Sequence, residues 1–162
     1  MHGRGFSGLS FFFTSCLVIF LTPVFAGPPP PKTEAPVCGA VAQGYLDARL
    51  EIWQHRMNLS DWKISLVMSP ASRLKPKTLG NIRWDTAGKT AVIRVLDASG
   101  YKMSCHDMLA DMETTVVHEL VHLELSALPR SPASRHEEEL AVNRIADALL
   151  KLDRENGQAG TE

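Results

Sequence analysis

The chain has 162 residues, with 17 Lys and Arg against 18 Asp and Glu and a formal net charge of −1. No block of like charge occurs, which argues against the basic face that a nucleic-acid partner would need. Beyond one apolar run near the N-terminus, no stretch is long and apolar enough to span a bilayer.

That run, residues 11–21, follows the positive start Met1-His2-Gly3-Arg4 and precedes Val24-Phe25-Ala26. These are the three parts of a secretory signal sequence, with cleavage expected after Ala26. An uncleaved anchor is the other reading, but the run is short for a ~20-residue span. Cys16 lies inside the run instead of at its end, so a lipoprotein cleavage box is not expected. The expected location is secreted or periplasmic, with no stable membrane insertion after cleavage. Residues 27–36 hold five prolines and read as an extended linker. The length that follows suits one compact domain, expected over residues 37–155, with a flexible tail at 156–162.

Ala42, Leu46, Leu50, Trp53 and Met57 recur at helical spacing and predict a first helix that breaks near Asn58, Ser60 and Asp61. Residues 62–68 alternate apolar and polar side chains, as a strand with one face on a core does. A basic, proline-containing loop spans residues 70–76. Two further strands are predicted at residues 80–84 and 90–96, joined by a glycine-containing hairpin at 85–89. Three such strands make an antiparallel or mixed sheet. Trp53, Trp62 and Trp84 are expected in the core.

Ser104-Cys105-His106-Asp107 resembles a capping box and opens a second helix. Its apolar stripe is Met108, Met112, Val116, Leu120 and Leu123, and Pro129 and Pro132 mark its end. Ser134-Arg135-His136-Glu137 is a second candidate cap. The last helix follows, with Ala141, Ile145, Ala148, Leu149 and Leu152 as its expected buried face. Cys38 and Cys105 remain after signal cleavage. In an oxidising compartment they can pair, joining the starts of two helices, or stay as separate thiols.

The motif that carries chemistry is His118-Glu119-Leu120-Val121-His122 on the second helix. Histidines four positions apart project from one helix face and can bind one zinc ion. Glu119 then lies beside the metal, placed to act as a base toward a zinc-bound water. A catalytic zinc usually takes three protein ligands. The third is sought among Glu137, Glu138 and Glu139 at the start of the last helix. Glu139 is chosen because Asn143 lies one turn on, able to support a ligating histidine. Small Val142 and Ala146 also let the two helices approach. Glu138 is the runner-up, and Glu137 reads as a solvated helix start.

His118-Glu119-Leu120-Val121-His122 followed by Glu139-Leu140-Ala141-Val142-Asn143 resembles the gluzincin type of zinc peptidase, and in size and element order its minimal members, the minigluzincins. The resemblance covers about ten residues in motif and most of the domain in topology. It implies an α+β, zincin-like minimal domain: an N-terminal helix, a three-stranded sheet, the HExxH helix and a C-terminal glutamate helix. It further implies His118, His122 and Glu139 as ligands to one Zn2+, Glu119 as general base and Asn143 behind the ligands, where aspartate is commoner. The implied partner is a peptide or protein substrate, held as an added strand on a sheet edge, for which the strand Thr90 to Leu96 is the candidate. Tyr101, His106 and His136 are candidate donors to an oxyanion.

Three other readings stand beside the peptidase. One is a catalytically inactive zincin-like domain that binds zinc or a partner. Another is a di-iron protein, since Glu119 and His122 also form Glu-x-x-His. That site needs a second such pair on a helical bundle, which the sequence lacks. The last is a structural domain without metal, which leaves the histidine, Glu139 and Asn143 pattern without a purpose.

Overall fold

The structure, a computed structural model, describes residues 34–129 and 131–159. The expected signal sequence (1–26), most of the expected linker (27–33) and the end of the expected tail (160–162) lie outside the described residues. The described chain is α+β: three α-helices and a three-stranded sheet. Among the described residues, no helix is long and apolar enough to cross a membrane.

Helix α1 (Glu34–Arg56) begins inside the segment expected as linker. Pro36 stands in the first turn, where the missing N–H has no helical partner to lose. Cys38, Ala42, Leu46, Leu50 and Trp53 form its buried stripe. Asn58 ends it in the left-handed region, at φ 55. There the Leu59 N–H reaches Gln54 O at 2.9 Å and the Asn58 N–H reaches His55 O at 3.1 Å. This pair of bonds is a Schellman motif, and asparagine tolerates its conformation.

Strands β1 (Lys63–Ser69), β2 (Gly80–Asp85) and β3 (Thr90–Leu96) pair in the order β1-β3-β2. β2 and β3 form the antiparallel hairpin, and β1 joins β3 in parallel. The sheet is therefore mixed, and β3 is its centre, not its edge. The reason lies in β3 itself: Ala91, Ile93, Val95 and Leu96 are all buried, which a strand flanked on both sides achieves. In register, Leu66, Ile93 and Ile82 form one row across the sheet, and Met68, Val95 and Gly80 the next.

Helix α2 (Cys105–Glu124) packs on β2 and β3 and is flanked by α1 and α3 (Arg135–Ala159). Ser104 caps α2, accepting from the Asp107 N–H at 3.2 Å. Ser134 precedes α3, but its hydroxyl turns back to Ser131. α3 runs on to Ala159, so most of the expected tail is helical. Its buried face also differs from expectation. Val142, Ala146 and Leu150 are buried, while Ile145 and Leu152 are 40 % and 55 % exposed. Adjacent helix positions lie about 100° apart. The face carrying Glu139 to α2 takes Val142, Ala146 and Leu150 inward with it and turns Ala141, Ile145, Ala148 and Leu152 outward, while Leu149 stays partly buried against the core.

Two cross-links fix α2 against α1. Cys38 and Cys105 form a disulfide with a Cα–Cα separation of 5.7 Å. Buried Glu113 accepts from Tyr45 Oη at 2.6 Å, Arg49 Nε at 2.6 Å and Trp53 Nε1 at 2.7 Å. Arg49 and Arg56 extend this network to Asp153 of α3. All three helices are thereby tied on the side of α2 that looks toward α1.

Candidate metal centre

His118 and His122 lie one turn apart on α2, their ring centroids 4.8 Å apart. Their Nε2 atoms face each other at 3.2 Å. Glu139 of α3 completes a triangle, with Oε2 3.5 Å from His118 Nε2 and Oε1 3.5 Å from His122 Nε2. Donors bound to zinc at about 2.0–2.1 Å in tetrahedral geometry are about 3.4 Å apart. The observed spacings match that requirement, and the donor set of two imidazoles and one carboxylate suits zinc.

Glu138 does not join the triangle. Its Oε1 lies 3.0 Å from His122 Nδ1, the nitrogen on the far side of the ring. A carboxylate there fixes the ring so that Nε2 points to the metal position. Glu139, chosen from the sequence over Glu138, is the glutamate that faces both Nε2 atoms; the place of Glu138 behind His122 was not foreseen. They separate because successive residues on α3 point about 100° apart. Burial, and then the neighbouring His122, hold the His118 pKa below its ordinary value, against the opposing pull of Glu139 and of Asn143. A neutral ring is the form that ligates a metal.

Glu119 points beside the triangle and is only 6 % exposed. Burial, and then the charge of Glu139, push its pKa up to about 7, with Lys75 pulling the other way. Gly80, the first residue of β2, makes room for it. A Cβ at Gly80 would stand 2.5 Å from Thr115 Cγ2, 2.8 Å from Arg94 O and 3.3 Å from Glu119 Oε1. Only glycine lets the strand approach α2 so closely.

The triangle and Glu119 form the floor of a cleft of about 670 Å³. Ile82 and half-buried Trp84 of β2 make one wall, so Trp84 belongs to the cleft as much as to the core. Among the described residues β2 pairs only with β3, which leaves its other edge open along this wall. The edge available to a bound peptide is thus β2. None of Tyr101, His106 and His136 lines the cleft. Lys75, Lys77 and Arg135 do; Lys75 belongs to the loop read as basic, whereas no local pattern singled out Lys77 or Arg135.

Fold and site together define an α+β domain with a cleft whose His118, His122 and Glu139 could hold a metal ion. No protein-family model, curated protein or solved structure matches this chain. The site alone therefore carries the functional reading.

Proposed function

We propose that this protein is an exported zinc-dependent peptidase of the gluzincin type. The observation that carries the reading is the convergence of His118 Nε2, His122 Nε2 and the Glu139 carboxylate at 3.2–3.5 Å, with buried Glu119 beside them. A disulfide between Cys38 and Cys105 is in keeping with an oxidising compartment.

His118, His122 and Glu139 would hold a zinc ion, which would supply Lewis acidity toward water and toward oxyanion charge. Glu119 removes the proton from the attacking water. Glu119 is buried beside the three donors, within reach of a water held among them. After attack on the peptide carbonyl, Glu119 passes the proton to the leaving nitrogen. Glu138 and Asn143 keep the two imidazoles oriented throughout. The open edge of β2 extends the substrate past Glu119 by backbone hydrogen bonds.

The test is metal analysis of the purified protein joined to a broad peptide digest, with and without a chelator. Zinc at about one equivalent and chelator-sensitive cleavage are expected. A zinc-loaded protein that cleaves no peptide points instead to a binding domain built on the same ligands.

A further inference from the structure

The turn at residues 75–78 closes with the Thr78 N–H on Lys75 O at 3.2 Å and the Thr78 hydroxyl on the same oxygen at 2.9 Å. Proline at its second position and positive φ at its third are the marks of a type II turn. The third position belongs by preference to glycine or asparagine, yet Lys77 occupies it at φ 65. A side chain held there against backbone preference needs a compensating reason. Lys77 and Lys75 both line the metal cleft.

A second cation is placed against local preference across the same cleft. Arg135 is the first residue of α3, where the helix dipole favours acids and disfavours cations. It too lines the cleft. Among the described residues, none of the three cations closes an ion pair. Two placements that run against local backbone or dipole preference thus line one cleft, which Glu119, Glu138 and Glu139 also line.

We infer that Lys75, Lys77 and Arg135 form a subsite for a carboxylate, so that the peptide taken by this cleft carries a negative group close to the bond presented to Glu119. This rests on the peptidase reading above. The turn lies two residues before Gly80, where β2 meets Glu119, so a peptide lying along β2 reaches the lysines just beyond the reactive position. An acidic side chain and a free C-terminal carboxylate share this chemistry.

The test compares three matched peptides on the zinc-loaded protein: one with an internal glutamate and an amidated end, one neutral with a free carboxyl end, and one neutral and amidated. Binding is measured by calorimetry on the Glu119→Gln protein and cleavage on the wild type. At least one carboxylate peptide is expected to bind about tenfold tighter than the neutral amide. Whichever it is identifies the source. Lys77→Gly relieves the positive φ, so its thermal stability should equal or exceed the wild type while the preference falls several-fold. Arg135→Gln should lower the preference as well. Equal affinity for all three peptides, or a full preference in Lys77→Gly, overturns the subsite. Equal cleavage of all three keeps the peptidase and removes the subsite. A carboxylate preference in binding with no cleavage keeps the subsite and removes the peptidase.

Discussion

Glu138 Oε1 lies 3.0 Å from His122 Nδ1, so the carboxylate holds the ring from behind while the opposite nitrogen faces Glu139. Two neighbouring glutamates thereby take different tasks. Removing Glu139 deletes a donor; removing Glu138 only loosens one. Loss of a supporting partner typically weakens metal binding about 10–100-fold. Glu139→Ala should weaken zinc affinity by considerably more than Glu138→Ala, as measured by competition with a chelating dye. Equal losses would contradict the division of roles.

Buried Glu119 also governs the stability of the metal-free protein. Its folded pKa is raised to about 7, above the ordinary 4.5. Below pH 4.5 the group is protonated in both folded and unfolded chains and costs nothing. Between pH 4.5 and 7 the unfolded chain ionises while the folded one keeps its proton, so stability falls as pH rises. Above pH 7 the loss levels off, at on the order of 3 kcal/mol. Denaturant melts of chelator-treated wild type and Glu119→Gln across this window measure the difference. Parallel curves would show that Glu119 ionises freely in the fold.

The close approach of β2 to α2 is tested at Gly80. Gly80→Ala forces a methyl against Thr115 and the Arg94 carbonyl, at a cost of about 1–3 kcal/mol. It also crowds Glu119, so hydrolysis should fall by more than zinc content does. Gly44 is the control: it sits within α1 with nothing within 4 Å of its virtual Cβ. Gly44→Ala should stabilise the helix by roughly 0.5–1 kcal/mol. Thermal melts of the pair check both signs.

The disulfide closes a loop of 67 residues between the starts of α1 and α2. Chain-entropy arguments assign a loop of that length about 4 kcal/mol. Reduction should lower the denaturation midpoint accordingly. An unchanged midpoint would mean that core packing and the Glu113 network hold α1 against α2 without the covalent link.

Much of this was legible because it is written in short-range spacing. Four-residue intervals in α1, Asn58 at its end and Ser104 at the start of α2 each act within one turn of helix. The interval between His118 and His122 does the same. Long-range relations were not legible. Strand order depends on β1 crossing to pair in parallel with β3, and no local signal encodes that crossing. On α3 two periodicities coexist, one through Val142, Ala146 and Leu150 and one through Ala141, Ile145 and Leu152. Apolarity alone favoured the wrong one, although Glu139 and Asn143 already marked the other. Lys77 escaped notice because its left-handed backbone is a property of the turn, not of lysine.

The most direct test is the hydrolysis rate of Glu119→Gln beside wild type at matched zinc content. Loss of about 10²–10⁴-fold in kcat, with zinc retained, is the expected result. A variant that cleaves peptides as fast as the wild type would contradict the assignment of Glu119 and the chemistry derived from it.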